Sequence, residues 1–334
     1  MIWFWLGFFA FVAVLLALDL GVLHKSPQTP SIKSAAYWTV AWMALGFAFT
    51  GFVFLMYEHA WLGATLIDPS EKPGADAALM FVSAYLLEYA LSVDNIFVIS
   101  LLFHSFRVQP QYQHRVLFWG ILGAIGFRLL MLAGGAYLAN KFDWIFYVFG
   151  GYLALQGVKL MRPESEEDAS HEKSFAIRAL RRVVRVVDGD HGGRFTVRID
   201  GKFALTTIAV CLVTIELTDV VFALDSIPAV LSVSKDIFIM VTSNIFAILG
   251  LRSLYFVLAG AMDKFKYLKL ALAVLLIVIG AKMVLHSHVH IPHAASLGVI
   301  AGIIGAGVLA SVISNRRAAA AAPQAAAAGP DKSA

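Results

Sequence analysis

Glu88-Tyr-Ala-Leu-Ser-Val-Asp94-Asn95 decides the fold, and Asp219-Val-Val-Phe-Ala-Leu-Asp225-Ser226 repeats it farther along the chain. In each copy a carboxylate is followed six residues later by an aspartate and then at once by a short polar side chain. Both copies sit inside apolar segments long enough to cross a bilayer. Two carboxylates at such a depth are expensive, and in membrane proteins they face a cavity, a partner or an ion path. The rest of the chain reads as two halves that bring these segments together.

Composition agrees. The 334 residues are 60% apolar and 14% charged, whereas a soluble domain is about 25% charged. The class is an all-α polytopic membrane protein. The single Cys211 excludes an intramolecular disulfide and a thiolate metal cluster. The net charge of +4 lies mostly in loops, a pattern of membrane topology rather than of nucleic-acid binding. No basic residue precedes the apolar run at 2–23, so it reads as a first span and not as a signal peptide.

Nine transmembrane helices are expected, at about 2–23, 35–57, 79–103, 115–139, 143–161, 204–231, 237–261, 267–286 and 293–314. Lys25 and Lys33, Arg107 and Arg115, the arginines from Arg162 to Arg198, and Lys264, Lys266 and Lys269 follow the odd-numbered spans. The alternate loops are poor in positive charge. That asymmetry puts the N-terminus outside and the C-terminus in the cytoplasm. Residues 1–317 form a single transmembrane bundle, with 162–203 as a cytoplasmic connector and 318–334 as a disordered tail. Within the connector, Phe175 to Val187 has the pattern of an interfacial helix, and Asp200-Gly201 that of a hairpin turn.

Likeness between the halves extends beyond the acids. Phe127-Arg128 through Gly134 matches Leu251-Arg252 through Gly260 with one insertion, and Phe142 through Gly157 and Lys159 matches Phe265 through Gly280 and Lys282. Repeat A, about 79–161, thus recurs as repeat B, about 204–286. Three spans per unit is odd, so the second unit crosses in the opposite sense. The result is a three-helix inverted repeat, a plan of secondary transporters.

On a regular helix, residues seven apart nearly coincide in direction, so Glu88 aligns with Asn95 and Asp219 with Ser226. Asp94 and Asp225 point partly aside, and local unwinding would gather all these oxygens. Pro228 favours such a break in the second copy. The donor set suits a hard divalent cation, Mn²⁺, Ca²⁺ or Mg²⁺. Glu216, three residues before Asp219, is a further candidate ligand or protonatable carboxyl. Structural ion pairs of the acids with Arg128 and Arg252 are the competing reading, and the two are compatible: the arginines would neutralise the acids when no cation is bound. Asn244 stands as a supporting residue or a packing one. Asp19, and Glu58 beside His59, lie at span ends as entrance candidates or as hydrated interface residues. His286, His288, His290 and His293 form an exit candidate or a polar boundary. Lys159 and Lys282 sit near helix ends, where snorkelling accounts for them.

Tyr85 through Phe97, His114 through Gly123 and Glu216 through Pro228 resemble the motifs of the TerC family, and the resemblance runs from Asp19 to about His293. It implies a bacterial inner-membrane protein among exporters built from three-span repeats, with nine-span members associated with manganese export. It carries ligand roles to Glu88, Asp94, Asn95, Glu216, Asp219, Asp225 and Ser226. Export of Mn²⁺ coupled to a proton or sodium ion is the leading expectation, since no Gly-rich Lys-Ser/Thr loop is present for ATP. A membrane assembly or metal-supply role with membrane-protein partners, without transport, is the alternative. In the single-site expectation, Asp94 and Asp225 reach one ion directly or through one water.

Overall fold

In the computed structural model each of the nine apolar segments contains helix. The described residues are 2–21, 31–59, 61, 73–161, 185–187, 189, 192–199, 201–259, 267–285 and 291–327. The helices are α1 (Ile2–Gly21), α2 (Ile32–Glu58), α3 (Gly74–Ser105), α4 (Pro110–Lys141), α5 (Ile145–Leu160), α6 (Thr207–Leu231), α7 (Ile237–Leu249), α8 (Leu251–Ala259), α9 (Leu268–Val284) and α10 (His293–Ala327). Among the described residues five of these, α2, α3, α4, α6 and α10, are long and apolar enough to cross a membrane, and α7 with α8 makes a sixth. Length separates this count from nine: the 16 residues of α5 rise about 24 Å, short of a hydrocarbon core about 30 Å thick. Leu130, Leu155 and Leu309, each more than 60% exposed, give the helices the apolar outer surface of a multi-pass membrane protein.

The expected break at Pro228 does not occur. α6 runs through it to Leu231, because a proline in the last turn removes only one hydrogen bond near an end that frays anyway. The break falls at Gly250 instead, where α7 and α8 bend by 43°. Glycine is a poor helix former, and the space around it would admit a Cβ at ordinary contact distance from Trp42.

Two hydrophobic cores are stacked along the bundle. The larger gathers residues such as Phe81, Leu87, Leu132, Leu231, Phe246 and Leu276. The smaller gathers Ile96, Phe103, Leu117, Val210, Ile215 and Tyr255. Asn95, Arg128 and Glu216 to Asp219 fall in the gaps between them on α3, α4 and α6.

A three-stranded sheet, ordered β1-β3-β2, lies where α6 begins. β2 (Thr196–Ile199) and β3 (Lys202–Thr206) form the expected hairpin, antiparallel, with Gly201 at φ +75°, a left-handed conformation that glycine adopts freely. β1 (Val186–Val187) adds a parallel strand too short to read from sequence. Arg115 on α4 clamps the sheet, donating to the Gly193 carbonyl at 3.1 Å with its guanidinium 5.0 Å from the Phe195 ring. Most of the proposed interfacial helix lies outside the described residues. Helix continues to Ala327, past the expected start of the tail at 318, as the helix propensity of a polyalanine run allows.

α5 and α9 make the most extensive helix contact, and it is backbone against backbone. A Cβ on Gly280 would lie 2.5 Å from the Gly150 carbonyl oxygen and 2.8 Å from the Ala154 nitrogen. Gly280→Val must therefore part the helices. We expect it to lower the thermal unfolding midpoint in detergent, at a cost of about 1–3 kcal/mol. Gly151→Ala, which meets nothing within 4 Å, should leave the midpoint unchanged or raise it.

Candidate ion-binding site

Glu88 on α3, Arg128 on α4 and Asp219 on α6 each stand within three residues of the middle of their helix, and the fold brings them into contact. Arg128 is 1% exposed and forms an ion pair with Glu88, which is fully buried. Its Nη2 donates to Asp219 Oδ1 at 2.8 Å, and its Nε to Asp219 Oδ2 at 3.1 Å. This is the two-pronged grip that a planar guanidinium makes on a carboxylate. With its amide oxygen turned toward Arg128, Asn95 accepts from Nη2 at 3.0 Å and donates to the Leu91 carbonyl at 3.2 Å. The reverse orientation sets donor against donor. One guanidinium thus joins both acidic motifs. The alignment of Glu88 with Asn95 read from their spacing holds, since both face Arg128.

The remaining candidates lie on α3, α6, α7 and α8. Glu216 is half-buried against α4, where a Cβ added to Gly123 would collide with its carboxylate. Glycine at that position makes room for the acid. Asp225 is half-buried and hydrogen-bonded to the Tyr152 hydroxyl, which also accepts from Gln156 Nε2 at 2.7 Å. Asp94 is half-buried, and Ser226 and Asn244 are buried. The Ser226 hydroxyl, the Ser92 hydroxyl and the Asn244 amide nitrogen have no hydrogen-bond partner among the described residues. Arg252 is buried and shares a cavity with Asn95 and Asp219. No three His, Cys, Asp or Glu side chains among the described residues are arranged as a metal cage. Glu88 and Asp219 are instead held by Arg128, the neutralised arrangement of the competing reading.

Residues considered for entrance and exit divide differently. Glu58 accepts from the Gly74 backbone nitrogen at 3.0 Å, so its carboxylate caps the positive end of α3. The Asp19 side chain, His286, His288 and His290 lie outside the described residues. Ser92, Tyr152 and Gln156 were absent from the sequence-based set. Ser92 carried a usable signal, standing one helical turn after Glu88 on the same face. Tyr152 and Gln156 carried none beyond being polar within an apolar segment.

The description "Integral membrane protein TerC family" belongs to the family model that matches residues 74–319. This chain belongs to the TerC family. An uncharacterized membrane protein of Myxococcus xanthus is 42% identical over 94% of this chain and 93% of its own length. The TerC relative of Escherichia coli strain K12 named "Putative membrane-bound redox modulator Alx" is 42% identical over 90% of this chain and 91% of its own. An uncharacterized membrane protein of Rickettsia bellii is 38% identical, covering 92% and 97% respectively. No solved structure matches the chain.

The arginine cluster has a measurable consequence. Arg128→Gln leaves Glu88 buried without its counter-charge and should cost about 3–5 kcal/mol of unfolding free energy. Adding Glu88→Gln should recover much of that loss, because the stranded charge goes with it. A double-mutant cycle on chemical unfolding reads the coupling; additive losses would mean that the pair does not hold the fold.

Proposed function

We propose that this TerC protein is a secondary transporter that exports Mn²⁺ from the cytoplasm across the bacterial inner membrane, with its N-terminus outside and its C-terminus in the cytoplasm. The observation that carries the reading is the buried cluster of Glu88, Asp219 and Asn95 on Arg128 between two apolar cores. Such a cluster costs several kcal/mol of desolvation per ion, and intramembrane charge of this kind marks ion pathways. On the same two helices, α3 and α6, are the carboxylates of Glu216, Asp94 and Asp225 and the hydroxyls of Ser92 and Ser226, the latter two unpartnered among the described residues; these are hard oxygen donors suited to Mn²⁺, with Ca²⁺ and Mg²⁺ as competitors.

In this mechanism Arg128 is the resident counter-cation. Glu88 and Asp219 cannot be left bare at that depth, so an incoming divalent ion takes them only as Arg128 withdraws. Release reverses the exchange. Moving two charges outward against the membrane potential costs about 4.6 kcal/mol per 100 mV, of which each returning proton or sodium ion would give back about 2.3.

Helix packing supports the inverted repeat and, with it, nine spans. Gly157 corresponds to Gly280, and Gly150 to Ala273. Gly157 packs on Ala273 and Gly280 on Gly150, so the correspondence maps the α5–α9 interface onto itself, as a two-fold axis requires. It also exchanges α4 on α6 with α3 on α7, and both pairs are in extensive contact.

A second reading follows from the name of the Escherichia coli relative, a redox modulator. Cys211 is this chain's sole cysteine and is fully buried, so thiol exchange has no accessible partner in it. A redox effect would then arise through metal supply to other membrane proteins.

Purified protein in liposomes tests the reading. Asp94→Asn and Asp225→Asn keep the shape of the side chain and remove its charge, so each should weaken Mn²⁺ binding and flux while the unfolding midpoint holds. Binding unchanged in both variants would remove their ligand roles, and absence of Mn²⁺, Ca²⁺ and Mg²⁺ flux by the unmodified protein would sink export altogether. Collapsing the proton and sodium gradients in everted vesicles should stop transport.

A further inference from the structure

Between the arginine cluster and the end of the bundle that carries the sheet lies a cavity of about 40 Å³. Asn95 and Asp219 line it toward the cluster, and Leu117, Arg252 and Tyr255 toward the sheet, with Ile99, Ile121 and Ile215 among its apolar walls. That volume holds a water or two, each needing at least about 10–15 Å³ on this measure. It is far too small for a divalent ion that keeps several waters. On this side the space beside Asp219 is too narrow to pass a hydrated divalent ion.

Tyr255 lines that space. It is 3% exposed, its ring stands edge-on to Phe103 at 5.5 Å, and its hydroxyl donates to Gln113 Oε1 at 3.0 Å. Gln113 is anchored in turn, its Nε2 donating to the Val108 carbonyl at 3.3 Å. The tyrosine thus ties α8 to α3 and to the start of α4 at one point. Tyr255 follows Arg252 by one helical turn, beyond the bend at Gly250. A tilt of α8 about that bend would carry the phenol away from Gln113 and open the cavity without disturbing α7. Aliphatic walls closed by a polar latch are the construction of a gate that excludes water when shut.

We propose that Tyr255 and Gln113 are the latch of the gate through which a hydrated divalent cation reaches Asp219 from the sheet-bearing side. The proposal rests on the transport reading, but gate opening can be read without transport. Ala124 lines the cavity on α4, so Ala124→Cys in a Cys211→Ala background makes a single reporter thiol. The full chain is placed in right-side-out and everted vesicles and treated with a membrane-impermeant, positively charged methanethiosulfonate. With the latch intact, labelling should be slow from both faces. Tyr255→Phe, which removes only the hydroxyl, and Gln113→Ala should each speed labelling about tenfold from the sheet-bearing side alone, the shift expected when one hydrogen bond holding a closed state is lost. Tyr137→Phe, on the exposed far end of α4, should change nothing. Unchanged rates in both latch variants, or acceleration from both faces alike, would overturn the gate. Faster one-sided labelling with no cation flux even in the unmodified chain would keep the gate and sink the transport reading; flux with unchanged labelling would do the reverse.

Discussion

A buried guanidinium tolerates no half-measures. Once α4 is in the membrane, the charge of Arg128 must be met by fixed acceptors. Glu88, Asp219 and the Asn95 amide supply them from two other helices. The acceptors require both helices to stand at a particular depth and rotation, so this one charge fixes how α3, α4 and α6 meet. The two apolar cores on either side keep water from competing for the pair. The arrangement stabilises the fold only while complete.

Structural and functional readings of the acids therefore converge on the same atoms. A carboxylate held by arginine has its charge met by a partner that another cation could in principle replace. The hydroxyls of Ser92 and Ser226 and the carboxylates of Glu216 and Asp225 lie outside the guanidinium's grip. They offer oxygen atoms that the ion pair leaves unused.

Much of this was legible in the residues. Helix positions followed from apolar length, and the shared face of Glu88 and Asn95 from a spacing of seven. The hairpin at Gly201 followed from alternation and a glycine turn. The break in the chain was misplaced because proline is the louder signal, yet its cost depends on where in the helix it stands. At Pro228 the helix was about to end, while Gly250 lay between two helical stretches with nothing but backbone to hold them in line. That Arg128 serves both acidic motifs could not be read, since Arg252 holds the matching repeat position and spacing along a chain does not rank tertiary partners. Glu58 misled for a related reason: an acid at a span end looks the same whether it meets an ion or caps the next helix. Tyr152 was hidden because a tyrosine in an apolar span ordinarily packs.

The bend between α7 and α8 bears on which surface the lipid sees. A kinked span frees backbone carbonyls in the middle of the hydrocarbon, where only protein can satisfy them. α7 meets that condition by being enclosed, with every residue from Phe238 to Leu249 buried. By hydropathy it is indistinguishable from α1, which turns Trp3, Leu6, Val14 and Leu18 outward. The same apolar composition is thus put to opposite uses: α1 acts as solvent-facing surface toward the bilayer, and α7 is the axle around which the other spans are assembled. Hydrophobic substitutions that lipid would absorb without notice on the outer face of α1 have to be accommodated on α7 by several neighbouring helices at once.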